Sequence, residues 1–474
     1  LVFEELFLIQ LPLAFRKNRA EEEITGASFK TRGELIKQFV KLLPFTLTGA
    51  QRKVLGEIMK DLEKKKPMNR LIQGDVGSGK TIVALIALLT AVDNGRQSAL
   101  MVPTEILAEQ HYLNIRHYCE KLGIQIKLVT SALKGKEREI YFEEIQSGKT
   151  QIVVGTHSLI QKDIKFKKLG LVVIDEQHRF GVMQREAIGK KGNQPHLLIM
   201  TATPIPRSLA LTLYGDMDVS LLDESPPGRQ EIVTNLFFEN QREQAYSIME
   251  KQLQQGRQAF LVCPLIEESE SIDLKAAVTV FDFIQKHFPK FKACLIHGKL
   301  KKEERQGIMS RFLKKEIQIL VSTTVIEVGI DVPNATVMII EHAERFGLAQ
   351  LHQLRGRVGR GKYASHCLLM AYHPVSEEGK ARMKAMQNSS DGFIIAEEDL
   401  KIRGPGDFMG TRQSGMPLLK IANLLRDIQV LETARNEAFQ IIESDPDITD
   451  PKHQPLNKAL KKFVGNYMEL MEVI

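Results

Sequence analysis

Short apolar runs recur along the middle of the chain, separated by longer amphipathic stretches. Leu71-Ile72, Ala99–Val102, Ile124–Val129, Gln151–Val154, Leu169–Ile174 and Leu197–Met200 form one series. Such runs alternating with helically spaced segments predict a parallel sheet with helices on both faces. Glu224-Ser-Pro-Pro-Gly-Arg229 then breaks the pattern and reads as a linker. A second series follows it: Gln258–Val262, Lys292–Ile296, Ile317–Val321, Thr336–Ile340 and Ser365–Met370. Beyond about Pro374 the spacing turns helical, with one glycine-rich interruption at Arg403–Gly415. Residues 1–25 carry Leu1, Leu8-Ile9 and Leu13 at helical spacing, which suits either a connecting helix or an N-terminal core helix. The predicted fold class is α/β, with two tandem parallel-sheet domains and a mainly helical C-terminal region. Expected boundaries are 1–45, 46–225, 226–375 and 376–474.

The strand-like Leu71-Ile72 leads into Gly74-Asp75-Val76-Gly77-Ser78-Gly79-Lys80-Thr81, and an unbroken helical run, Ile82–Leu89, follows. Strand, glycine-rich loop and helix in that order form the context in which G-x-x-x-x-G-K-[ST] binds phosphate. Glycines let backbone N–H groups turn toward phosphate oxygens, and the helix N-terminus adds positive potential. Lys80 is placed to reach the β- and γ-phosphates, and the Thr81 hydroxyl to ligate Mg²⁺. The chain is expected to bind a nucleoside triphosphate.

About 95 residues further on, the strand Val172-Val173-Ile174 ends in Asp175-Glu176-Gln177-His178. Asp175 is the expected Mg²⁺ carboxylate, and Glu176 the base that orients and deprotonates the attacking water. Gln51, in Phe45–Gln51, offers a donor and an acceptor to adenine, although an N-capped helix explains Thr48 equally well. Thr201-Ala202-Thr203-Pro204 is either a plain turn or a pair of hydroxyls sensing the state of hydrolysis.

Composition changes this picture little. The chain has 474 residues, 43% of them hydrophobic and 26% charged, which excludes wholesale disorder. A net charge of +7 permits a polyanionic partner without demanding one. Cys119, Cys263, Cys294 and Cys367 are far apart, so neither a disulfide framework nor a cysteine metal site is expected, and a cytoplasmic location fits. No apolar run reaches the roughly 18 residues a bilayer requires, and no membrane partner is expected. The start lacks a basic n-region and begins at Leu1, as expected of a piece of a longer sequence.

The ordered set of phosphate loop, Pro103-Thr104-Glu105, Gly155-Thr156-His157, Asp175–His178, Thr201–Thr203, Ser322-Thr323-Thr324 and Gln353–Arg360 resembles the superfamily 2 helicases and translocases. In that family two RecA-like domains sandwich ATP. The resemblance implies that Pro103, Thr104, Thr156 and His157 touch the nucleic-acid backbone, and that Thr323 and Thr324 contact its phosphates. It assigns Asp331 to the nucleotide side, Gln353 to a phosphate or relay contact, and Arg357 and Arg360 to arginine fingers. His297 is either a further strand-end contact or an ordinary surface histidine.

Asp391–Gly415 adds a more specific signature. Its physics predicts a helix ending at Arg403 and then a tight glycine-proline loop; it resembles the translocation motif of the RecG family of branched-DNA helicases. That likeness makes Arg403, Arg412 and Gln413 the residues that transmit motion to duplex DNA, and it covers essentially the whole chain. Two departures stand out. The family's N-terminal oligonucleotide-binding wedge has no counterpart here, residues 1–25 looking like the helix that would follow it. The usual Thr-Gly-Ser before Lys-Gly reads Thr130-Ser131-Ala132-Leu133-Lys134-Gly135. The resemblance implies an ATP- and Mg²⁺-dependent, monomeric DNA translocase acting on forks, Holliday junctions and duplex, with single-stranded-DNA-binding protein as a partner. The alternatives are a translocase like the transcription-repair coupling factor, an ATP-gated DNA-binding scaffold, and an RNA helicase.

Overall fold

The computed structural model describes every residue except 23–25, 162, 177–193, 203, 205, 207–208, 210–216, 225, 227–229, 265–269, 324–331, 409–418, 420, 425 and 466–474. The chain divides into two units, one of Leu1–Gly74, Gly79–Glu224 and Arg403–Ile474, the other of Asp75–Ser78 and Ser225–Ile402.

In the first unit the apolar runs become Asn69–Gly74 (β1), Gln97–Met101 (β2), Ile126–Val129 (β3), Ile152–Gly155 (β4), Leu169–Asp175 (β5), His196–Thr201 (β6) and Asp218–Leu222 (β7). They pair in the order β3-β4-β2-β5-β6-β1-β7, every pairing parallel. Strands covered on both faces have no polar side to show, which is why they read as continuous apolar runs. The helices are Val2–Glu22 (α1), Glu34–Leu42 (α2), Gly49–Leu62 (α3), Lys80–Asp93 (α4), Glu105–Lys121 (α5) and Gly135–Ser147 (α6). α4 is buried along nearly its whole length, from Val83 to Val92.

The second unit repeats the plan with Ile232–Phe238 (β8), Gln258–Val262 (β9), Ala293–Ile296 (β10), Ile319–Ser322 (β11), Ala335–Ile340 (β12) and Ser365–Ala371 (β13), ordered β10-β11-β9-β12-β13-β8 and again all parallel. Alternate residues feed the two faces: Phe260, Leu320 and Met338 enter one apolar cluster, while Leu261, Val321 and Ile339 enter the other. Its helices are Arg242–Gln254 (α7), Glu270–His287 (α8), Lys302–Leu313 (α9), Leu348–Arg355 (α10), Glu377–Asn388 (α11) and Gly392–Phe408 (α12).

α12 kinks at Gly404, whose φ of 76° and ψ of 158° only glycine adopts readily and which precedes Pro405. The first helical stretch therefore ends at Arg403 as expected, but the backbone beyond Gly404 is helical again to Phe408 where a tight loop was expected. The chain then returns to the first unit and adds Ile428–Ser444 (α13) and Gln454–Gly465 (α14).

α1 is a core helix. Leu6, Phe7, Leu11 and Ala14 pack with Leu431, Ala434, Ala438 and Ile442 of α13, each fully buried leucine being worth roughly 1.5–3 kcal/mol. The Glu5 carboxylate accepts from the backbone N–H groups of Ile421 (3.0 Å) and Ala422 (2.8 Å), and Lys17 bonds Asp218 at 2.8 Å. The two ends of the chain thus share one core. No helix among the described residues is long and apolar enough to cross a membrane. The four cysteines are free thiols, and burial pushes those of Cys119, Cys263 and Cys367 up to about 12.

Candidate nucleotide site and the loops around it

β1 ends at Gly74, and α4 begins at Lys80 with Gly79 as its N-cap. Gly77 (φ 82°) and Gly79 (φ 85°) hold left-handed conformations that a side chain would strain. The loop tightens further where Ser78 N–H donates to Asp75 O at 3.1 Å. Ile82 and Val83 N–H donate to Gly79 O at 3.1 and 3.4 Å, and the positive end of the α4 dipole suits its N-terminus to an anion. Lys80 is buried in that turn, its Nζ donating to Gly74 O at 2.8 Å, and Thr81 follows it half-buried.

Asp175 closes β5, two strands from β1 in the same sheet. Its Oδ2 accepts from His111 Nε2 at 2.9 Å, and its Oδ1 from the Glu176 N–H at 3.0 Å. Burial alone would push this carboxyl up. The His111 hydrogen bond and the Lys80 ammonium outweigh that and hold it below its ordinary range, as a carboxylate. Glu176 has φ 58°, a left-handed backbone in a non-glycine residue. Such conformations cost of order 1–3 kcal/mol and concentrate at functional sites.

The capping reading of the Gln51 segment is the one seen in the fold. With Thr48, Gln51 forms a capping box on α3: Gln51 N–H donates to Thr48 Oγ1 at 3.2 Å, and Thr48 N–H to Gln51 Oε1 at 3.0 Å. Its Nε2 lies against Gly79 of the phosphate loop.

The other expected contacts also gather at the carboxyl edge of this sheet, where open α/β sheets bind ligands. Pro103 and Thr104 follow β2, and Thr104 Oγ1 caps α5 by accepting from Leu107 N–H at 3.4 Å. Thr156, buried, and His157, exposed, follow β4; Thr201 ends β6 and is buried. In the variant segment, the Ser131 N–H donates to the Glu105 carboxylate at 3.0 Å and its hydroxyl bonds the same oxygen. Ser131 thus fastens that loop to the first turn of α5, and Lys134, exposed, precedes α6.

In the second unit Thr323 follows β11; its hydroxyl is buried with no hydrogen-bond partner among the described residues. Gln353 is half-buried on α10, and Arg357 and Arg360 follow it, Arg357 buried and Arg360 half-buried, with Arg360 Nε donating to Gly356 O at 3.1 Å. His297 is half-buried after β10, and burial together with the Lys299 ammonium pushes its imidazole below its ordinary value. Arg403 is exposed on the last turn before the Gly404 kink. Thr203, Thr324, Asp331, Arg412 and Gln413 lie outside the described residues.

Three residues that sequence reasoning did not single out stand in or beside these groups. His111 engages the Asp175 carboxylate. Arg355 is buried, and its guanidinium donates to Met386 O (2.9 Å), Ser389 O (2.7 Å) and Ser390 O (3.1 Å) while bonding His352 Nδ1 at 2.9 Å. It pins α10 to the end of α11 and the start of the α12 segment. Gln73, fully buried beside Thr201 in the β1–β6 register, has no partner for its amide among the described residues. Arg355 lies inside the Gln353–Arg360 motif without having been given a role there, and nothing local pointed to His111 or Gln73.

A phosphate loop following the first strand of an all-parallel sheet, an acid pair at the end of a strand two places away and a second sheet of the same kind define a P-loop protein with tandem RecA-like folds. Family models agree: DEAD/DEAH box helicase matches residues 48–212, the helicase conserved C-terminal domain 241–362, and ATP-dependent DNA helicase RecG, domain 3, C-terminal 389–471. The ATP-dependent DNA helicase RecG of Bacillus subtilis is 50% identical over 464 residues, covering 97% of this chain and 68% of that protein. The Synechocystis sp. protein of the same name is 51% identical over 449 residues, covering 94% of this chain and 54% of its own. A solved structure of RecG bound to a three-way DNA junction superposes with a TM-score of 0.74 at 46% identity, over 91% of this chain and 56% of that one. The helicase Lhr of Mycobacterium smegmatis (TM-score 0.57, 17% identity) shares the fold alone. The chain belongs to the RecG family and spans about half to two thirds of the length of these relatives.

Proposed function

We propose that this chain hydrolyses ATP and uses the cycle to move along duplex DNA, remodelling branched substrates such as stalled forks and Holliday junctions. The observation that carries this is the convergence of the Lys80 loop, the Asp175–Glu176 pair and the Thr104 and Thr156 loops on one sheet edge, in a chain of this family. The residues have distinct tasks. The Gly77–Gly79 backbone and the α4 N-terminus bind the phosphates, and Lys80 exchanges its bond to Gly74 O for β- and γ-phosphate oxygens. Asp175 and Thr81 offer the hard oxygen donors that Mg²⁺ takes, and the ion would neutralise charge on those phosphates. Glu176 orients the attacking water and accepts its proton. Arg357 and Arg360 stabilise charge developing on the γ-phosphoryl group, Gln353 and Asp331 serve as further nucleotide contacts, and Gln51 reads adenine.

Pro103, Thr104, Thr156, His157, Thr323 and Thr324 track the nucleic-acid backbone, with Thr201 and Thr203 sensing the nucleotide state. Arg403, Arg412 and Gln413 pass motion to duplex DNA. On this reading the protein works in the cytoplasm as a monomer, with single-stranded-DNA-binding protein as a partner. The test is ATP hydrolysis by the 474-residue chain with single-stranded, duplex and forked DNA. Stimulation should be strongest with forked DNA, and turnover that stays at background with saturating fork rejects the reading.

A further inference from the structure

α5 buries Leu107, Ala108, His111, Ile115 and Cys119, a helical stripe with one polar member. A histidine on such a face usually ends in a core bond to backbone. This one reaches instead to the Asp175 carboxylate, at 2.9 Å. The other oxygen of Asp175 takes the N–H of Glu176, so the His111 ring fixes the rotation of the acid from which Glu176 departs into its left-handed backbone. At its opposite end α5 carries the loops expected to meet DNA. Thr104 caps it, and Glu105 in its first turn holds Ser131 through both N–H and hydroxyl. Two helical turns, about 10 Å at 1.5 Å per residue, separate Thr104 from His111. A hydrogen-bonded helix does not compress over that distance, so displacement of its N-terminal end arrives at His111.

We propose that His111 is a positioning residue that couples DNA engaged at the amino end of α5 to the orientation of Asp175. It touches neither nucleotide nor DNA. This rests on the reading of Pro103–Thr104 as a nucleic-acid contact, and it names the link by which that contact is felt at the phosphate site. Coupling between sites is reciprocal, so Mg²⁺-nucleotide must change DNA affinity by the factor by which DNA changes nucleotide affinity.

The experiment measures fluorescence anisotropy of a labelled forked DNA with the 474-residue chain, with and without Mg²⁺ and the non-hydrolysable imido analogue of ATP. For the unsubstituted chain the analogue should change DNA affinity by about tenfold, within the usual range of such couplings. His111→Leu, which keeps the apolar packing, should reduce that factor to below about twofold while affinity for DNA without nucleotide stays unchanged. His111→Gln, which keeps an N–H donor, should retain most of the factor. A His111→Leu chain with full coupling overturns this inference alone, as does a folded His111→Gln chain without any; where His111→Leu does not fold, the glutamine variant decides. Absence of coupling in the unsubstituted chain overturns both this inference and the motor reading.

Discussion

The side-chain amide of Gln51 rests on Gly79, so closely that a methyl group on Gly79 would collide with Gln51 Nε2. The same amide holds Thr48 through its Oε1, so one side chain registers the start of α3 against the phosphate loop. Capping is thus one use of this amide, and adenine recognition, on the reading proposed above, is the second. Gly79→Ala must strain a φ of 85°, at about 1–2 kcal/mol, and displace Gln51 as well. We expect ATP affinity to fall at least about tenfold, since each 1.4 kcal/mol is a factor of ten. Equilibrium binding of a fluorescent ATP analogue checks this, and unchanged affinity would remove the loop from the site.

Lys80 makes a charge-assisted bond to Gly74 O at 2.8 Å. Lys80→Ala should abolish phosphate release while leaving DNA binding without nucleotide intact. Near-normal turnover in that variant would refute the site assignment.

Glu176→Gln keeps the shape of the side chain and removes the base. Hydrolysis should fall by about 10²–10⁴-fold with ATP affinity retained. Single-turnover phosphate release beside nucleotide binding separates the two. Equal losses in both would instead mean that Glu176 binds nucleotide.

How far these residues could be read from sequence depended on whether their signal was local. β5 and β9 announced themselves because a strand covered on both faces has no polar alternation to hide it. β8 did not: Ile232–Phe238 is an edge strand, only partly buried, and its Thr-Asn centre reads as loop. β7, Asp218–Leu222, is the edge of the other sheet and was equally silent. The two tandem sheets were legible in the strand pattern, but the residue-by-residue equivalence between them was not. Gln97, opening β2, donates to Ile145 O and Thr150 O, and Gln258, opening β9, makes the same two-carbonyl clamp on Phe312 O and Ile317 O. Equivalent tasks fall on one residue type, while the surrounding sequence has drifted beyond recognition. His111 is the clearest case: its partner lies 64 residues away, and neighbouring residues carry no trace of that pairing.

Arg355 illustrates a buried charge held largely by backbone carbonyls. Its fork meets three carbonyls and the His352 ring. Arg355→Ala would strand those carbonyls, and hydrogen bonds to charged groups are worth about 1.5–3 kcal/mol each, so we expect a loss of at least about 3 kcal/mol. Arg355→Lys should recover only part of it, because an ammonium cannot reproduce the planar fork. Denaturant melts give the magnitude, and protection of the 386–390 backbone from hydrogen exchange locates it. A loss below about 1 kcal/mol for the alanine variant would mean the carbonyls find other donors.

The pH dependence of stability should carry the mark of His196, which is fully buried beside the edge of Phe29. Its Nδ1 accepts from the Met68 N–H at 2.9 Å, and its Nε2 donates to Ala27 O at 2.6 Å, so the ring is neutral and the segment before α2 is tied to β6. A second proton on Nδ1 would meet an N–H instead of an acceptor. Burial pushes the imidazole below its ordinary value; the Ala27 carbonyl and the Asp61 charge oppose this and are outweighed. The folded state therefore binds fewer protons than the unfolded one near and below about pH 6.5, and stability rises with pH across that range. The contribution is complete above about pH 6.5 and is lost as pH falls through the depressed folded value. His196→Gln should melt below the unsubstituted protein at neutral pH, and the gap should narrow toward about pH 5, where the native histidine must charge or the fold must open. Melting temperatures of both proteins across that range decide the matter: a gap that stays constant or widens on acidification would mean that His196 is not held neutral in the native state.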